Sequence, residues 1–190
     1  MNTGTYSFPA LCLRQGEHTY YLIHCPLRLL PRLLLFDELE VPAPIRQAQW
    51  LDPAAVARWT RYLSAHQADY LLPPLIVSVD GALRFEPLTQ DQPTNGQLHI
   101  ALEARLLIRD GQHRRAAIQA LLASASALAD DTMPLMLIPD PQFSRAIALY
   151  RELHPSQVRA TTSRRVRYDA ANLATLVRQR QLSAALLAGV

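Results

Sequence analysis

Lysine is missing altogether: all 19 basic side chains among the 190 residues are arginine. Arginine carries a planar fork suited to phosphate and guanine, although GC-rich codon usage accounts for most of such a bias. Cysteine is nearly absent too. Cys12 and Cys25 stand alone, with no CxxC and no Cys/His ligand spacing, which argues against a zinc site. Long apolar runs are lacking: Leu33–Phe36 and Leu135–Ile138 fall far short of the roughly 20 residues that cross a bilayer. No secretory leader pattern is seen. The expectation is a cytoplasmic protein with reduced thiols, no membrane contact and no resident metal.

What is present is a chain rich in Leu and Ala, 49% hydrophobic with 7% aromatics. That is enough to bury the core of one compact domain, with or without an appendage. The net charge is +3 and the pI about 9.1, a mild excess. Its distribution says more. Beyond Pro141 come Arg145, Arg151, Arg159, Arg164, Arg165, Arg167, Arg178 and Arg180, against only Glu152 and Asp169. A stretch of one sign suits a polyanion.

Period-two patterning predicts strands over Tyr6–Leu13 and Thr19–His24, joined through Gly16. Pro31 opens a short helix towards Phe36, and Glu40–Arg46 reads as a loop. Asp52-Pro53 is a helix start, with Val56, Trp59 and Leu63 on one face of a helix ending near His66. Leu75–Val79 reads as a strand that Asp80-Gly81 turns back into Ala82–Glu86 as a hairpin. Polar Thr89–Gln97 reads as a surface loop. Leu98–Leu102 and Arg105–Arg109 are extended, and a helix runs from Gln112 to about Leu128. Met133–Ile138 is a buried strand, Phe143–Leu153 an amphipathic helix, Pro155–Arg167 a basic connector and Ala170–Ala188 a last helix. This order fits α+β better than repeated βαβ units.

The chemistry concentrates at Arg109-Asp110-Gly111-Gln112-His113-Arg114-Arg115, where an apolar strand meets a glycine and a helix begins. A helix N-terminus offers unpaired N–H groups and partial positive charge, so two arginines in its first turn need compensation. A phosphate bound by Gly111, Gln112, Arg114 and Arg115 would supply it. The alternative is structural: Asp110 caps the helix and the arginines face solvent or Glu103. His113 is open to a general-base role or a capping bond, and Asp110 to water activation or capping. Cys25, in His24-Cys25-Pro26, is either a reactive thiol or a small buried hydrophobe. Arg159, Arg164, Arg165 and Arg167, interleaved with Thr161, Thr162 and Ser163, have the side chains that commonly contact DNA phosphates. They carry no aromatic interleaving of the kind that stacks single strands.

Asp110-Gly111-Gln112-His113-Arg114 is the DGQHR signature, and more of the chain resembles the DndB family of DNA phosphorothioate modification systems. Phe8-Pro9-Ala10, Cys25-Pro26-Leu27-Arg28-Leu29, Leu35-Phe36-Asp37-Glu38, Tyr62, Tyr70, Phe85-Glu86-Pro87 and Leu149–His154 with Val158 and Ser163 are similar to its pattern. The similarity runs over about residues 6–170. His154-Pro155-Ser156 departs from it, since an Asn is usual near His154, and so does the lack of a basic residue near Trp50.

The resemblance implies an α+β domain of ParB/sulfiredoxin-like character over 1–168. A C-terminal helix over 169–190 would be the start of a longer region. It implies a DNA-binding repressor of the phosphorothioate genes, with Cys25 joining the four arginines at double-stranded DNA. It also implies, as an alternative, nucleotide hydrolysis or DNA nicking, with ATP or CTP and Mg²⁺ at the DGQHR loop and Asp110 and His113 as catalytic groups. Other proteins of the same system would be partners, and a palindromic operator would call for a homodimer.

Overall fold

The computed structural model describes residues 4–35, 51–123, 128–146 and 148. Those up to 146 lie in one compact unit, Met1–Ile147. The basic connector, the last helix, and Arg159, Arg164, Arg165 and Arg167 fall outside the described residues, as does Glu40–Arg46.

The unit is α+β, built on a mixed seven-stranded sheet. Its strands are β1 (Thr5–Gln15), β2 (His18–Pro26), β3 (Leu75–Asp80), β4 (Leu83–Thr89), β5 (Gln92–Ala101), β6 (Arg105–Asp110) and β7 (Thr132–Pro139). Their spatial order is β4-β5-β1-β2-β7-β3-β6. Only β3 and β7 run parallel; the other neighbours are antiparallel. The α-helices that accompany them include α1 (Leu30–Leu33), α2 (Pro53–Ala65) and α3 (Gln112–Leu122).

The first hairpin forms as the alternation requires. Ala10 pairs with Ile23 and Gln15 with His18, and Gly16 turns the chain at φ +55°. Asp52 accepts a hydrogen bond from the Ala54 N–H at 2.9 Å and caps α2 with Pro53 behind it.

Four expectations need correction. Asp80-Gly81 does not close a hairpin, because β3 is buried between β7 and β6 while β4 pairs with β5 at the far edge. Gly81 is instead where the chain leaves β3, the strand next to the β6 edge, and a Cβ there would lie 2.6 Å from that of Ala104. Second, most of Thr89–Gln97 is strand. Pairing with β1 on one side and β4 on the other overrides its polar composition. Third, α3 ends at Leu122, not Leu128. Fourth, α1 stops at Leu33, and Leu35 then bridges to Leu107 in parallel.

One sheet face carries the core. Phe8, Ile23, Cys25, Leu75, Val77, Leu98, Ile100, Ile108, Leu135 and Leu137 pack with Leu63 of α2 and Ala117, Ile118 and Leu121 of α3. A smaller cluster of Leu107, Phe143 and Ala146, with Leu35 against it, involves the segment after β7.

Candidate functional site

The DGQHR segment forms the junction between β6 and α3. Gly111 occupies the N-cap in the left-handed region, φ +102° and ψ +15°. Any larger residue would be strained there, and its Cβ would fall 2.2 Å from Leu75 Cδ2 and 2.9 Å from Arg114 Nη2. Glycine lets the chain reverse directly against the core.

Asp110 does not cap α3. Its exposed carboxylate accepts from Arg114 Nη2 at 3.0 Å, an i,i+4 pair across the turn. Arg114 itself is only 5% exposed. Its Nη1 donates to the Pro73 carbonyl, and its guanidinium carbon lies 5.9 Å from the Trp59 ring centroid. Burial pushes its pKa below the ordinary guanidinium range, while Asp110 opposes that shift. Arg115 is buried as well. It donates to Gln119 Oε1 at 2.7 Å and to the Pro31 carbonyl at 3.3 Å. Burial pushes its pKa down to about 10, so it stays charged at neutral pH. The two cations in the first turn of α3 thus have protein oxygens as partners, and a bound phosphate is not needed to explain them.

His113 turns the other way. Its Nε2 accepts the Asp52 N–H at 3.0 Å. That bond needs the Nε2 lone pair, so the proton of the neutral ring sits on Nδ1. It ties the start of α2 to the first turn of α3. The signature and Arg115 just after it therefore join three segments: the Pro73 loop through Arg114, the α2 region through His113 at Asp52 and Arg114 at Trp59, and α1 through Arg115. Pro73, Trp59 and Asp52 were not legible as its partners, because each contact is long-range.

Cys25 is fully buried on the core face of β2, where its thiol donates to the Pro26 carbonyl at 3.5 Å. Burial pushes its pKa up to about 12, with Arg28 opposing. The thiol is protonated at neutral pH and packs as a hydrophobe.

A cleft of about 420 Å³ lies beside α1 and the β5–β6 turn, with Arg32, Glu103, Arg105 and Arg115 in its wall. None of residues 110–114 lines it; Arg115, the residue after the signature, does. Among the described residues no group of three or more His, Cys, Asp or Glu could hold a metal ion, and no helix is long and apolar enough to cross a membrane.

Asp140, which no site motif marks in the sequence, is a fully buried carboxylate at the end of β7. It accepts from Ser78 Oγ and from the N–H groups of Arg145 and Ala146, all at 2.9 Å. Arg109, the residue before the signature, reaches Ser78 Oγ at 3.3 Å and the Ala146 carbonyl at 3.5 Å. Asp140-Pro141 is the same helix-start signal as Asp52-Pro53.

A family model described as DndB, DNA-sulfur modification-associated, matches residues 8–188. The chain belongs to the DndB family. Its place is therefore in DNA sulfur modification. No curated protein and no solved structure gives a significant match.

Proposed function

We propose that this DndB-family chain is a DNA-binding regulator of the sulfur-modification genes. The family match carries the reading. It extends to residue 188, so Arg159, Arg164, Arg165 and Arg167 belong to the family region and are not an appended tail. These four arginines contact backbone phosphates. The junction of strand, left-handed glycine and helix supports a ParB/sulfiredoxin-like core. Within it, Arg114 and Arg115 act as braces, and Cys25 acts through packing. A palindromic operator would bring two copies together, and other proteins of the sulfur-modification system are further partners.

The test is a reporter driven by the region upstream of the modification genes. Expression falls when this chain is supplied and recovers when the four arginines are changed to alanine. Unchanged expression with the intact chain would overturn the regulator reading.

A second reading, nucleotide hydrolysis, draws on one observation: the Asp110 carboxylate stays exposed beside the first turn of α3. In that reading Asp110 and His113 orient water, while Gly111 and Gln112 face the phosphates of ATP or CTP with Mg²⁺. Phosphate release abolished in Asp110→Asn would support it. No turnover with either nucleotide would remove it.

A further inference from the structure

We infer, resting on the DNA-binding reading, that the outer face of α2 is a duplex-backbone contact made by Arg58 and Arg61, and that the DGQHR turn holds that helix in register.

The composition of α2 is unusual for a solvated helix. Its exposed positions include Ala54, Ala57, Arg58, Arg61, Ser64 and Ala65, and the helix contains no acid. A solvated helical face ordinarily mixes both signs, with Glu and Lys at neighbouring turns. Here the only charges are two arginines one turn apart, among side chains too small to keep a partner away. Among the described residues neither guanidinium takes part in an ion pair. Asp52, Asp69 and Asp110 have other partners: the Ala54 N–H, His66 and Arg114. Among the described residues the face thus presents two forks without an acidic partner, each able to take a phosphate by two parallel hydrogen bonds.

The signature explains why this face points outward. Trp59, between the two arginines, is turned inward, where the Arg114 guanidinium lies 5.9 Å from its ring centroid. Leu63 is buried in the core. The first N–H of the helix region, at Asp52, is held by His113 Nε2. One end and one side of α2 are therefore fixed by consecutive residues of the DGQHR motif. On a seven-stranded sheet whose core face already carries α2 and α3, a rigid helix set this way can address a polyanion without rearrangement. Duplex DNA is the polyanion that the family's chemistry supplies.

The experiment is fluorescence-anisotropy titration of the full 190-residue chain on a labelled duplex of arbitrary sequence, over a salt series. Wild type is compared with Arg58→Ala/Arg61→Ala and with Arg58→Lys/Arg61→Lys. Removing one arginine–phosphate pair should weaken binding roughly tenfold at about 0.1 M salt and lower the salt slope by about 0.9. The alanine pair is expected to reduce both affinity and slope, and the lysine pair to keep the slope. Matching thermal melts are expected, since both side chains are exposed. Wild-type binding with an unchanged affinity and slope in the alanine pair would overturn the assignment and leave the DNA-binding reading intact. No binding of wild type to any duplex would overturn both.

Discussion

Arg114 shows how a charged residue can belong to a core. It is buried in the first turn of a helix, where the dipole opposes a cation, yet it has a carboxylate, a backbone carbonyl and an aromatic face as partners. Truncation would leave the Pro73 carbonyl without that partner and Trp59 without its cover. Arg114→Ala is therefore expected to destabilise folding by about 2–4 kcal/mol in urea titrations. Gly111→Ala should cost at least about 2 kcal/mol, from the left-handed backbone and the clash with Leu75. Cys25 gives a pH prediction. Its folded pKa, about 12, lies above the unfolded value of about 8.5, so the folded state keeps the proton longer. Its contribution to stability is full below pH ~8.5 and is lost as the pH rises towards 12. In a thiol-reagent titration of the native protein, half-buried Cys12 should react first and Cys25 only on unfolding. Equal rates for the two thiols would contradict this placement.

At the scale of elements, capping decides more than composition. Asp140 gathers three donors at the end of β7, where Gln142 and Phe143 both take left-handed backbone at φ +57° and +54°. Asp140→Ala would orphan those donors in a buried site and should cost about 3 kcal/mol in the same assay. Asp80 sits close by. The Gln142 N–H and Arg105 hold its carboxyl below the ordinary carboxylate value of 3.8. Its contribution is present above that value and lost as the pH falls through the lower folded pKa. Asp80→Asn should accordingly flatten the acid limb of the stability curve.

The elements also show what could be read from residues alone. β1, β2 and β7 were legible because alternation matches one buried face, and β3 and β6 because continuous apolar runs mark strands buried on both faces. The Asp80-Gly81 turn misled because a hairpin signal is local, while the partners of β3 come from residues 105–110 and 132–139. Likewise the junction at Gly111 was legible, but the partners of Arg114 and His113 were not. Nothing in the spacing of Pro73, Trp59 and Asp52 marks them as neighbours of the signature.

For the whole molecule, family membership places this chain in DNA sulfur modification. The regulator reading adds a sequence-selective grip on duplex DNA. Phosphate contacts alone would bind any duplex and collapse with salt, whereas base or shape readout survives as a preference. The measurement that separates these is anisotropy binding to duplex from upstream of the chain's own gene beside a scrambled duplex, from low to moderate salt. Tighter binding to the upstream duplex is expected, with the preference persisting at moderate salt. Equal affinity for both duplexes, vanishing together as salt rises, would contradict it.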